Sequence, residues 1–97
     1  MFVHIFALRW KPEATEADQV RAAEEVRAFR GVIPGLIEVC MGPNLSKRGQ
    51  GYTFACLMKF VDKEAADFYA IHPTHLALLR WLVPLVEAID LDFEADA

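Results

Sequence analysis

The chain is poor in the features that would tie it to several large classes of function. It has two cysteines, Cys40 and Cys56, in no CxxC pair and at no zinc spacing, which reads as two small hydrophobes in a reducing cytoplasm. No apolar run reaches the roughly 18 residues that a membrane span needs. Lys and Arg number 10 against 14 Asp and Glu, giving a net charge of -4, and the cations are scattered rather than striped. Neither a nucleic-acid backbone nor a membrane surface is an expected partner. Low-complexity runs are also missing. With 55% hydrophobic and 25% charged residues, the 97 residues read as one packed domain over 1–97. The opening MFVHIFALRW has no basic region before it and no small-residue cleavage site after it, so it reads as a strand, and a cytoplasmic location is expected.

What is present is periodicity. Phe2 to Trp10 is dense in aromatic and β-branched residues and stops before Pro12, a first strand that is apolar on both faces: Phe2, His4, Phe6 and Leu8 on one, Val3, Ile5 and Ala7 on the other. Thr15 offers an N-cap, and Val20, Ala22, Ala23, Val26, Phe29 and Ile33 recur at helical spacing until Gly31 and Pro34-Gly35 end the helix. Leu36–Leu45 and Tyr52–Val61 are strand-like runs joined by the turn-rich SKRGQG, a hairpin that sets Cys40 and Cys56 opposite or nearly opposite each other. No secretory context supports a disulfide between them.

Asp62 caps a second helix through Phe68 and Tyr69. Pro73 forces His72 out of helical geometry and suits the first position of a third helix, which runs through Leu76, Leu79 and Leu82 towards Pro84. That helix is apolar almost all round, so cover on more than one side is expected. A last strand from about Val86 alternates Ile89, Leu91 and Phe93 with Asp90, Asp92 and Glu94, charges that could supply a pocket carboxylate but read here as protection of an edge. The order β-α-β-β-α(α)-β is the α+β, ferredoxin-like arrangement of a four-stranded antiparallel sheet with helices on one face. Strands apolar on both faces leave a second sheet face to be covered, so a homodimer packed sheet to sheet is expected.

Tyr69-Ala70-Ile71-His72-Pro73-Thr74-His75 holds the candidate chemistry. A metal site there needs a third ligand, such as His4 across the sheet, and Pro73 separates the two histidines; no metal and no cofactor are expected. An acid–base reading has His75 near a helix N-terminus, kept neutral by the dipole as a proton acceptor, with the Tyr69 hydroxyl donating to a substrate carbonyl. In the structural alternative, His72 caps the new helix, His75 and His4 are satisfied, partly buried side chains, and Tyr69 supplies core area with its hydroxyl at the rim, all in a non-catalytic dimeric module.

The element order, the Ile33-Pro34-Gly35 break, Gly51-Tyr52 opening the third strand, and the Tyr69–His75 stretch together resemble the stress-responsive α/β-barrel family over Val3 to Phe93, with His4 matching an early strand-one histidine. The resemblance implies a dimeric α+β barrel. One branch of the family holds polyketide cyclases, and carrying its residues over by position implies Tyr69 and His75 as catalytic and His4 in the pocket, beside Phe6 and Leu8 on the same strand face and His72. The implied ligand is a small apolar or aromatic, polyketide-like molecule, for a cyclase- or isomerase-type reaction. That branch lines its pocket with aromatics from the first helix, where this chain has Ala22, Ala23 and Val26.

Overall fold

In the computed structural model, which describes residues 1–96, these periods become β1 (Phe2–Trp10), α1 (Glu16–Arg27), β2 (Leu36–Pro43), β3 (Phe54–Phe60), α2 (Lys63–Ile71), α3 (Pro73–Leu82), a 3₁₀ turn (Val83–Leu85) and β4 (Val86–Glu94). The strands form one antiparallel sheet in the order β2-β3-β1-β4. This is the ferredoxin-like arrangement expected from the order of elements.

The helix-covered face of the sheet carries the core. Phe2, Phe6 and Leu8 from β1 and Cys56, Met58 and Phe60 from β3 pack with Ala22 and Val26 of α1, Tyr69 of α2 and Leu78 and Leu82 of α3. Phe29 and Phe60 are wholly buried, each stabilising the fold by about 1.5–3 kcal/mol relative to an exposed side chain.

α1 starts at a reciprocal cap, with the Thr15 hydroxyl accepting from the Asp18 amide and the Asp18 carboxylate accepting from the Thr15 amide. It ends at Arg27, short of the expected Gly31. The chain keeps turning through Phe29 N–H to Val26 O and Ile33 N–H to Phe29 O, so Phe29 and Ile33 stay at near-helical spacing and remain in the core. Gly35 then has φ +79° and lies so close to α2 that an added Cβ would fall 2.6 Å from the Ala65 Cβ, which requires glycine on both counts.

The hairpin pairs Pro43 with Phe54, so Cys40 faces Leu57 and Met41 faces Cys56. The two cysteines therefore occupy adjacent rows on opposite sheet faces, Cys40 exposed and Cys56 buried, and both are free thiols. Burial pushes the Cys56 thiol up to about 12. α3 is covered on one side, with Leu78 and Leu82 inside and Leu76 exposed.

The other face of the sheet bears Val3, Ile5 and Ala7 of β1, Leu57 of β3 and Ile89, Leu91 and Phe93 of β4. Val3 is buried yet lies outside the core cluster, whereas Ile89, Leu91 and Phe93 are 48%, 56% and 48% exposed. Ion pairs flank this apolar strip, Lys59–Glu38 at 3.1 Å and Arg9–Glu87 at 3.0 Å.

Candidate active site

A cavity of about 400 Å³ lies between the β1–β4 half of the sheet and helices α2 and α3, within the size range of small-molecule sites. Its walls are mainly apolar, with Phe6, Leu8, Leu78, Leu82 and Val86 among them. The polar groups along them are His4, Tyr69, His75 and the carboxylates of Asp67, Asp90 and Asp92.

Tyr69 sits near the end of α2, its ring 5.4 Å from Phe60 and 5.6 Å from Phe29 between centroids, so the core fixes its body. The residue is only 4% exposed. Its hydroxyl has no protein hydrogen-bond partner among the described residues, yet no buried side-chain polar atom among them lacks one. The hydroxyl is therefore not sealed in the core but opens into the cavity. Burial, with smaller contributions from Cys56 and Asp90, raises its pKa above the ordinary phenol value, so at neutral pH it is a hydrogen-bond donor and not a phenolate.

His75 is the third residue of α3, and its ring centroid lies 4.2 Å from that of Tyr69. Its Nδ1 is 3.1 Å from the Ala70 carbonyl oxygen. A carbonyl only accepts, so Nδ1 carries the proton and Nε2 of the neutral ring holds the free lone pair. Burial lowers the His75 pKa below 6.5, opposed by the Ala70 carbonyl and the Asp90 charge and reinforced by His4 and His72. The ring is neutral at pH 7, and desolvation leads the causes where the helix dipole was expected to.

On the sheet side, His4 Nδ1 and Asp92 Oδ1 are 2.5 Å apart. The register sets His4 opposite Asp92 and Phe6 opposite Asp90. The acidic stripe of β4, an edge strand, thus lies on the helix-covered face, and Asp90 and Asp92 line the cavity as well as charging the edge. The apolar stripe of β4 lies on the uncovered face. Two-residue alternation fixes that the stripes lie on opposite faces, but only the pairing with β1 decides which one looks inward.

His72 is not among the cavity-lining residues. It has extended geometry (φ -64°, ψ 137°), and its Nδ1 accepts from the Thr74 amide at 3.1 Å, capping α3. His4, Phe6, Leu8, Tyr69 and His75 come together around the cavity. Ala22, Ala23 and Val26 of α1 do not line it; Ala22 and Val26 are core. Among the described residues no group of three or more His, Cys, Asp and Glu side chains is placed to hold a metal ion.

Comparison with known proteins adds the lineage. The model of the stress responsive A/B barrel domain matches residues 2–95. The chain belongs to this family. Olivetolic acid cyclase from Cannabis sativa is 28% identical to it over 75 residues, 75% of this chain and 74% of the cyclase. A dimeric ferredoxin-like protein of unknown function from Jannaschia sp. superposes with a TM-score of 0.85 at 28% identity, covering 97% of this chain and 98% of that one. Hydroxynitrile lyase from Passiflora edulis shares the fold at a TM-score of 0.81 and 16% identity, over 99% and 95% of the two chains. One fold thus carries a cyclase and a lyase, so for this member of the stress-responsive family the reaction has to be read from the site.

Proposed function

We propose that this chain is a homodimeric acid–base enzyme acting on a small apolar or aromatic carbonyl compound, with the chemistry of a cyclase or an isomerase. His75 Nε2 takes the proton next to the carbonyl, and the Tyr69 hydroxyl donates to the oxygen as negative charge develops on it. His4, held by Asp92, is the second proton-transfer group, and Phe6 and Leu8 form the wall against the substrate's apolar body. Proton transfer of this kind can be carried by these side chains without a cofactor.

The observation that carries the reading is the convergence of His4, Tyr69 and His75 on one cavity of about 400 Å³ with the Tyr69 hydroxyl unpaired. That hydroxyl is free to meet a ligand, because no protein group among the described residues engages it. The 28% identity to olivetolic acid cyclase supports the cyclase end of the range. The dimer is supported by the half-exposed Ile89, Leu91 and Phe93 on the helix-free face and by the dimeric relative from Jannaschia sp.. Light scattering should report about twice the chain mass of 10.9 kDa; a monomer at micromolar concentration contradicts the dimer.

The catalytic reading is tested by following α-proton exchange of a panel of aromatic 1,3-diketones in deuterated water by NMR. The protein should accelerate exchange of at least one of them, and His75→Ala should abolish the acceleration. Acceleration over the protein-free rate that survives His75→Ala removes the proposed base.

A further inference from the structure

The cavity carries a charge pattern that the acid–base reading does not use. Among the described residues β4 has four carboxylates, and three have partners: Glu87 pairs with Arg9, Asp92 with His4 and Glu94 with the amino group of Met1. Asp67, on the α2 side of the cavity, pairs with Lys63. Asp90 has neither a hydrogen-bond nor an ion-pair partner among the described residues, although it stands opposite Phe6 on the helix-covered face and lines the cavity. No Lys or Arg lines the cavity with it.

A second observation points the same way. The Tyr69 hydroxyl, on a side chain more than nine-tenths buried, is an unpartnered donor opening into the same space. The buried Tyr69 donor and the Asp90 acceptor, which solvent still reaches, share a mainly apolar chamber that His4, His75, Asp67 and Asp92 also line. A ligand that satisfies both presents an acceptor to Tyr69 and a donor to Asp90, and an anionic group meets a carboxylate with no cation to offset it.

We propose that Asp90 is a substrate-anchoring residue, and that the cavity selects apolar, ring-bearing ligands that carry a hydroxyl or a protonated amine and rejects carboxylates. The proposal rests on the acid–base reading above for the identity of the cavity as the substrate site, and it adds the substrate's second functional group. Asp90 binds and orients; the proton chemistry stays with His75 and Tyr69.

Tryptamine, tryptophol and indole-3-acetate share one ring system and differ in the terminal group, so they probe this selection on the full chain by isothermal titration calorimetry near pH 7.5. Tryptamine should bind most tightly, tryptophol next, and indole-3-acetate at least about tenfold more weakly than tryptamine. Asp90→Asn should weaken tryptamine about tenfold and bring the three probes together. Asp92→Asn, whose carboxylate His4 already engages, should change the ratio less.

Equal binding of tryptamine and indole-3-acetate to the wild-type chain overturns the proposal. So does a preference that persists in Asp90→Asn, or one that falls as far in Asp92→Asn, since either assigns the selection to general negative charge. Absence of tryptamine binding at millimolar concentration also overturns it. In that case the acid–base reading still stands or falls separately, on the exchange assay with His75→Ala.

Discussion

His72 and His75 belong to one short stretch of chain and have been put to opposite uses. Pro73 supplies no N–H, so the first amide of α3 that needs a partner is that of Thr74, and His72 turns its Nδ1 to accept from it. One turn on, His75 uses the same ring atom as a donor to the Ala70 carbonyl and lines the cavity beside Tyr69. The imidazole is identical in both; what differs is which backbone group the helix junction leaves unsatisfied within its reach. Two histidines around a proline are therefore no evidence of a shared site. They are evidence of a junction, and the junction assigns the roles.

The comparison makes the two residues separable by mutation. The largest effect belongs to His75→Ala, which should lower the rate on a substrate identified by proton exchange by roughly 10²–10⁴-fold, read from kcat with circular dichroism showing an intact fold. Tyr69→Phe removes the cavity donor while keeping the ring that packs on Phe29 and Phe60, and should cost roughly 10²-fold in kcat. His72→Ala should leave kcat alone and lower stability by about 1 kcal/mol in urea denaturation, with His72→Asn restoring most of it by capping. A loss of rate in His72→Ala comparable to that in His75→Ala would erase the distinction.

The smallest effect is in the titration of His75. Its folded pKa is lowered below 6.5, so the unfolded chain binds the more protons in the window beneath that value. Stability should therefore rise with pH from the folded-state midpoint up to about 6.5 and be flat above it as far as His75 is concerned. His75→Gln should remove this slope. The groups facing the ring are His4 from β1, Tyr69 and the Ala70 carbonyl from α2, Asp90 from β4 and His72 at the cap. Asp90 acts to raise the His75 pKa, so Asp90→Asn should move the NMR midpoint further down. An upward move would place Asp90 out of reach of the ring.

The parts of the fold set by local chemistry were legible in the sequence. The β1 run, the Thr15 and Asp62 caps and the break at His72-Pro73 all stand where the residue types put them. The end of α1 was not legible, because the turn after Arg27 keeps Phe29 and Ile33 at the spacing a helix would give them. The hairpin was legible to within one residue: its axis falls between Arg48 and Gly49, which sets Cys40 opposite Leu57 and so nearly opposite Cys56.

Which face the carboxylates of β4 take stayed open for a stronger reason. His4 and Asp92 meet across 88 positions of chain, and nothing local in β4 tells which of its two stripes turns inward. That information lies in the long-range pairing of β4 with β1, and a shift of one residue would have put Asp90 and Asp92 on the open face. Aromatic and imidazole groups of the site could be found from a motif. Asp90 and Asp92 needed the register.

The contrast between the two histidines is tested most directly by the tautomers of their rings, observed in a long-range ¹H–¹⁵N NMR spectrum at pH 7.5. The hydrogen bond to Ala70 requires His75 to carry a proton on Nδ1, burial keeps the ring neutral so that Nε2 is free to accept one, and the bond from Thr74 leaves Nε2 as the protonated nitrogen of His72. Opposite tautomers at these two positions are the predicted result. A His75 ring protonated on Nε2, or still doubly protonated at that pH, would contradict the assignment of His75 as the base.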